Sequence, residues 1–264
     1  MSPGPRPSTG WINSVIAATS EQLADTDVLI RTWLMLAHVL HVDETAVNVN
    51  GHRWWLHVAA TQKLTSYFLH KSRGRTAVAE FAILPAFTKV CVHDALSVYD
   101  GPDYARAKQA FCGAHIAREL VAAGQADLDN AWPKAALDAF YELNTAAHRA
   151  RKANLIPIPP DVLDPLLYRW KRALLCGLAD NPRRPGVKQS KTRNLLSRLT
   201  SRDEQVLLFA RDLRFAFTNN LAERDLRPTK TQLKNSGCHC GSGGAQAYGS
   251  LATSPPCAKT VPPS

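Results

Sequence analysis

The feature that most limits how this chain can fold is a change of period at His41. Upstream, from Trp11 to Leu40, apolar residues recur at helical spacing (Val15, Ile16, Leu23, Val28, Leu29, Trp33, Leu36, Leu40), with a break near Asp25–Asp27 that can cap a second helix. Downstream, three short segments rich in β-branched and aromatic residues follow one another across brief polar or glycine links: His41–Asn50, Arg53–Thr61 and Leu64–His70. Segments this short and this close together read as consecutive antiparallel strands. A turn at Ser72–Arg75 follows, then a helix over Thr76–Leu84 ended near Pro85. A compact apolar run at Lys89–His93, of the kind found in a buried strand, completes the pattern and ends at Asp94.

The order is therefore β-β-β-α-β, then helices. Three antiparallel strands, a crossover helix and a returning parallel strand make the front half of a ribonuclease-H-like mixed sheet, so the expected class is α/β with flanking helices. Further helices are expected over Phe111–Ala123, Leu128–Lys152 and Val162–Leu178, with Pro157, Pro159 and Pro160 between the last two. Val206–Leu213 is apolar, and Asn219–Asn220 can cap a final helix. The expected division is an N-terminal helical part over 1–40, the first part of the core over 41–122, and a helical, basic insertion over 123–202. The last core helix then occupies 203–235, and 236–264 is an irregular tail of Gly, Ser, Pro and Cys. A chain of 264 residues has room for one large domain carrying an insertion.

Charge narrows the partners. Against 22 acidic residues stand 32 Lys and Arg, a net charge of +10, which favours a polyanion, nucleic acid before membrane. No uninterrupted apolar window of about 18 residues exists, so a membrane span is not expected. The opening MSPGPRPSTG lacks the basic-then-apolar pattern of a secretory signal, and the six scattered cysteines read as cytosolic thiols. The expected location is cytoplasmic, at the nucleoid. One stretch concentrates the charge: Asn181–Arg202 carries Arg183, Arg184, Lys188, Lys191, Arg193, Arg198 and Arg202 with no acidic residue among them. It is either a solvated loop or a phosphate-contacting one.

Three carboxylates stand out. Asp43 sits inside an apolar, alternating strand, where it either faces water at a strand end or lies on a sheet surface and needs a partner. Glu44 points to the opposite face by the two-residue period, so the two are not expected in one site while the strand stays regular. Asp94 ends the apolar run, at the carboxyl end of a parallel strand, where α/β sheets place their chemistry; otherwise it caps the next turn. If the strands order as proposed, Asp43 and Asp94 are neighbours, and two carboxylates that close repel unless a divalent cation lies between them. Glu223 reads either as N3 of a capping box begun by Asn220 or as a third metal oxygen on the first turn of the last helix. Arg224, Arg227, Lys230 and Lys234 would give that helix a basic face, and Pro228 should end or kink it.

Weaker signals remain. Cys112 and His115 share a helix face, but a lone pair is not a zinc site, and a buried Cys beside a hydrogen-bonded His is the favoured reading. Cys238, His239 and Cys240 read as tail composition, and Trp33, Trp54, Trp55 and Trp170 as packing residues.

Taken in order, HVDET, VHD, the C-x-x-H-x-x-R-E of Cys112, His115, Arg118 and Glu119, the R-N-L-L-x-R-L of Arg193–Leu199, the F-x-N-N-x-A-E-R-D-x-R of Phe217–Arg227 and Lys234–Gly237 carry a resemblance. The chain resembles the insertion sequence 66 family of bacterial transposases from about residue 10 to about residue 245. The resemblance implies a DDE transposase core, with Asp43, Asp94 and Glu223 as catalytic, metal-binding acids and a helical subdomain inserted between the second and third. It implies two Mg²⁺ ions, with Mn²⁺ as an alternative, and metal-dependent strand cleavage and strand transfer on transposon ends and target DNA. The activity of this copy stays open, with an inactive DNA-binding remnant or another Mg²⁺ nuclease of the same fold as rivals. Arg183, Arg184, Lys188, Lys191, Arg193, Arg224, Arg227, Lys230 and Lys234 would contact DNA, with Cys112, His115 and Arg118 near the site. A homo-oligomer is left open, and neither a membrane nor a small-molecule cofactor is implied.

Two departures are expected to matter. The family's N-terminal zinc-binding and helical region is represented here by its last helices, so recognition of element ends is expected to be missing. After Gly244–Ala247 the family pattern G-Y-I-S-T-x-R-K-N-G is replaced by ATSPPCAKTV, which a one-base shift can convert, so a frameshift is expected between Ala247 and Ala252.

Overall fold

The computed structural model describes residues 8–236. The expected tail, its Cys238–Cys240 cluster and the frameshift lie outside the described residues. The chain forms two units, the first from the segment up to Lys108 together with the segment from Asn220, the second from Gln109–Asn219.

In the first unit, α1 (Thr9–Gln22) and α2 (Ala24–Leu36) meet at Leu23, with acidic Asp25 and Asp27 in the first turn of α2. Strand β1 (Val39–Val49) turns back into β2 (His52–Ala60) through Asn50 and Gly51, both at positive φ (51° and 79°). That two-residue turn matches the right-handed twist of the strands and fixes the register from His41↔Ala60 to Val49↔His52. Strand β3 (Thr65–His70) pairs antiparallel with β2. The chain then crosses through α3 (Arg75–Phe81) to β4 (Val90–His93), which runs parallel to β1 with Leu40 opposite Cys91 and His41 opposite Val92. A short strand, β5 (Lys108–Phe111), follows. Among the described residues these strands form one mixed sheet in the order β3-β2-β1-β4-β5.

The period-2 alternation of β1 sends its residues to two separate cores. Leu40 and Val42 join Ala59 and Cys91 beneath Ile30, Leu34, Val78, Phe81 and Tyr99. Val47 and Val49 join Leu56, Val58 and Ala60 beneath Ala222 and Leu226 of the last helix.

In the second unit run α4 (Gly113–Ala126), α5 (Trp132–Lys152), α6 (Pro160–Asp180), α7 (Lys191–Ser201) and the short α8 (Asp203–Val206) and α9 (Leu208–Arg211). Phe140 stacks on Trp170 at 5.1 Å between centroids and meets Phe209 edge-on at 5.4 Å. Helix α6 comes so close to its neighbours that a Cβ on Gly177 would fall 2.6 Å from Trp132 and 2.8 Å from Leu196. Arg151 pins α9 and the segment after it by donating to the carbonyls of Phe209, Leu213 and Phe215 at 2.8–3.1 Å. The first unit closes with α10 (Asn220–Ser236).

Several expectations need correction. Phe111 ends strand β5 rather than starting a helix, and α4 begins at Gly113; a four-residue edge strand beginning Lys-Gln shows no alternation by which to read it. Helix α5 starts at Trp132 rather than Leu128, with Pro133 in its first turn, where a missing N–H costs nothing. Half of the basic run is helix: Ser190 caps α7 by accepting the Arg193 N–H at 3.0 Å, and Leu195, Leu196 and Leu199 bury its inner face. Trp33 is 57% exposed, while Trp170 is buried as expected. Pro228 lies inside α10, which continues to Ser236. No helix among the described residues is long and apolar enough to cross a membrane.

Candidate active site

The parallel register carries the site. His41 lies opposite Val92, so Asp43 and Asp94, each two residues further on, fall at matching levels on the same sheet face. On its other side Asp43 pairs with Val58, whose side chain lies in the core roofed by α10. Asp43 therefore faces that helix.

Both aspartates are held locally. Asp43 Oδ1 accepts the N–H of Glu44 at 2.9 Å. Asp94 Oδ1 accepts the N–H of Leu96 at 3.0 Å, in a tight turn where Ala95 takes φ 67° and donates its N–H to His93 Nδ1 at 3.1 Å. One carboxylate oxygen from each of Asp43, Glu44 and Asp94 lies within 4.8 Å of the other two. This corrects the expectation that Asp43 and Glu44 stay apart. Alternation still sends the two side chains to opposite faces, but the short Asp43 carboxylate folds back along the strand onto its neighbour's N–H.

Burial, assisted by the charges of Glu44 and Asp94, raises Asp43 from 3.8 to about 7 against the lowering effects of the Glu44 N–H and Lys230. A carboxyl poised there takes up charge readily once a cation arrives. Hard carboxylate oxygens around a shared point are the donor type that Mg²⁺ and Mn²⁺ prefer, so the residues present fit a divalent ion.

Glu44 has its own partners. Its side chain is fully buried; Oε1 accepts from Arg73 Nε at 2.9 Å and Nη2 at 2.6 Å, and Oε2 accepts from the Tyr99 hydroxyl at 2.6 Å. Arg73 lies over the Trp55 ring at 4.8 Å, and Tyr99 tilts against His93 at 4.8 Å. Sequence reading placed Glu44 on the correct face but missed its role, because its partners lie 29 and 55 residues away.

Glu223 is half-buried on the first turn of α10, and it is not one of the three clustered carboxylates. The helix begins at Asn220, so Glu223 stands at its fourth position. The rotation of α10 is set by Asp225, which sequence reading also passed over. Its Oδ2 accepts the Thr65 hydroxyl at 2.6 Å and its carbonyl accepts the Tyr67 hydroxyl at 2.8 Å. With Ala222, Leu226 and Thr229 buried, Glu223, Arg227, Lys230 and Lys234 share the adjoining helix face. Arg224 is exposed beside Asp225 at 3.5 Å.

The second unit holds the other predicted residues. Arg183, Arg184 and Lys188 are exposed on the loop between α6 and α7, and Lys191 is exposed at the start of α7. Gln189 fastens this loop across itself, accepting the Arg184 N–H at 3.0 Å and donating to the carbonyls of Arg184 at 2.5 Å and Val187 at 2.8 Å. Arg193 is occupied internally, donating to the Asn181 carbonyl at 3.0 Å. Arg198 pairs with Glu119. Cys112 is buried at the start of α4 and its Sγ accepts the Asn219 N–H at 3.2 Å. Arg118 Nη2 donates to His115 Nε2 at 2.9 Å, which leaves the His115 proton on Nδ1.

The mixed sheet thus brings two aspartates level with each other beside a helix that carries Arg227, Lys230 and Lys234. Residues 3–247 match the family model described as Transposase IS66 family, and the chain belongs to that family. No curated protein matches it. Membership points to a DNA-processing enzyme class, a role in transposition, DNA as partner and use of a divalent metal.

Proposed function

We propose that this protein is a DDE-type transposase core of ribonuclease-H-like fold, cutting DNA strands at element ends and transferring them to target DNA. The observation that supports this reading is the parallel register of β1 and β4, which brings Asp43 on β1 level with Asp94 just past the end of β4, with Asp43 raised to about 7. Asp43 and Asp94 would bind the divalent ions, two by family resemblance, and Glu223 on α10 would supply the third carboxylate. When bound, such ions supply the Lewis acidity that activates a water or a 3′-hydroxyl and offsets charge on the leaving oxygen.

The rest falls to the chain. Asp43 gives up its proton on loading. Lys230 moderates the negative charge that Asp43 experiences. Arg224, Arg227, Lys230 and Lys234 would receive phosphates along α10, and Arg183, Arg184, Lys188 and Lys191 would do so on the second unit. Arg193 is better assigned to holding its loop than to DNA.

The test is Mg²⁺- or Mn²⁺-dependent nicking of DNA carrying the ends of the encoding element. Retention of that DNA without nicking by the wild-type protein would replace this reading with that of a binding remnant. Nicking without transfer of the 3′ end would indicate a nuclease.

A further inference from the structure

Glu44 is a fully buried carboxylate directly after Asp43, and every hydrogen bond shown for its oxygens reaches a different chain segment. Arg73 comes from the turn between β3 and α3. Tyr99 comes from the helical turn Ser97–Asp100, five residues beyond Asp94. The backbone N–H of Glu44 meanwhile holds Asp43 Oδ1. One residue thus ties the strand bearing Asp43 to the loop bearing Asp94. That loop is otherwise set by a turn with Ala95 at φ 67°, an uncommon conformation for a residue with a side chain.

Glu44 is buried but the Arg73 side chain is 43% exposed, and an ion pair this open to solvent adds little stability, so stability alone is a weak account of this arrangement. What it supplies is orientation. Both Arg73 contacts converge on Oε1, Tyr99 takes Oε2, and Trp55 and His93 brace the two partners from behind. The carboxylate has no freedom to rotate without breaking its charge-assisted bonds to Arg73 and its buried bond to Tyr99.

We propose that Glu44 is a positioning residue which, through Arg73 and Tyr99, sets the spacing of the Asp43 and Asp94 carboxylates and thereby the affinity of the site for a divalent cation. This rests on the metal-binding reading above. Partners one shell out from metal ligands typically change affinity by about 10- to 100-fold when removed.

The experiment is titration of the full chain with Mn²⁺, in the absence of DNA, by calorimetry and by the electron paramagnetic resonance of free Mn²⁺, well below the thermal midpoint of each protein. Tyr99→Phe removes one hydroxyl, and Glu44→Gln keeps the shape while removing the charge. Each is expected to weaken Mn²⁺ binding by about tenfold or more, and the double variant by less than the product of the two. A purely structural role would lower the thermal midpoint and leave the Mn²⁺ dissociation constant of the folded protein unchanged, which overturns the proposal while the metal reading stands. A wild-type chain that binds no Mn²⁺ overturns both. Should the buried variants not fold, Arg73→Lys, made at a side chain that is 43% exposed, carries the same test. It is expected to weaken Mn²⁺ binding by about threefold or more, and unchanged binding again overturns the proposal.

Discussion

Replacing Asp43 by Asn should make the metal-free protein more stable while removing its chemistry. Folding raises the Asp43 carboxyl from 3.8 to about 7, chiefly through burial and then through Glu44 and Asp94. Between those two values the folded state holds a proton that the unfolded chain has released, so this residue's contribution to stability falls as pH rises from about 4 to about 7 and stays low above it. A shift of about three units corresponds to at most about 4 kcal/mol, and partial solvent access reduces this to about 2–4 kcal/mol. Asn cannot ionise, yet its side-chain oxygen can still accept the Glu44 N–H. In metal-free buffer at pH 8, Asp43→Asn should therefore raise the thermal midpoint by roughly 4–15 °C, and near pH 4 the two proteins should melt together. Adding Mg²⁺ should raise the wild-type midpoint and leave the variant unmoved. The assay is thermal melting by circular dichroism across pH 4–9, with chelator and with Mg²⁺. An Asn variant that melts lower than wild type at pH 8, or by the same margin at every pH, would refute the argument that Asp43 is an electrostatically strained ligand.

Three further outcomes follow from other parts of the structure. Burial lowers His57 to about 4, with its Nε2–H directed at the Ser72 carbonyl at 3.2 Å, so its contribution is present above about pH 6.5 and lost as pH falls toward 4; His57→Gln should flatten that acid limb in a melting series. Gly177→Ala puts a methyl group against Trp132 and Leu196 and should cost about 1–3 kcal/mol by denaturant melting, against almost nothing for an alanine at exposed Lys171. Gln189→Ala loosens the basic loop without changing its charge, so it should weaken DNA binding at every salt concentration with the salt slope kept. Lys188→Ala should instead reduce that slope by about 0.9, and equal slopes for the two variants in fluorescence anisotropy would remove Lys188 from the DNA contact.

What could be read from the sequence was what local periodicity encodes. The switch from helical to alternating spacing at His41 located β1, β2 and β3, and the apolar run before Asp94 located β4; together they set the parallel pairing that brings Asp43 level with Asp94. Where local signal was absent, reading failed. Strand β5 is four residues with a charged start, and α7 hides its three buried leucines among cations. The residues that hold the site act over long separations: Tyr99 reaches Glu44 across 55 positions, and Thr65 reaches Asp225 across 160. No period in the chain encodes such pairs. The motif around Glu223 is local, whereas nothing local marks Asp225, two residues on, which holds the helix that carries Glu223 to Thr65 and Tyr67.

The account depends on Asp43, Asp94 and Glu223 acting as one metal-dependent unit, and the most direct measurement of that is transfer of a pre-cut 3′ element end into target DNA by purified protein in Mg²⁺ or Mn²⁺. Wild-type protein should join the strands. Asp43→Asn, Asp94→Asn and Glu223→Gln should each abolish joining while still retaining the DNA. Joining that persists in Glu223→Gln, or in either aspartate variant, would contradict the assignment.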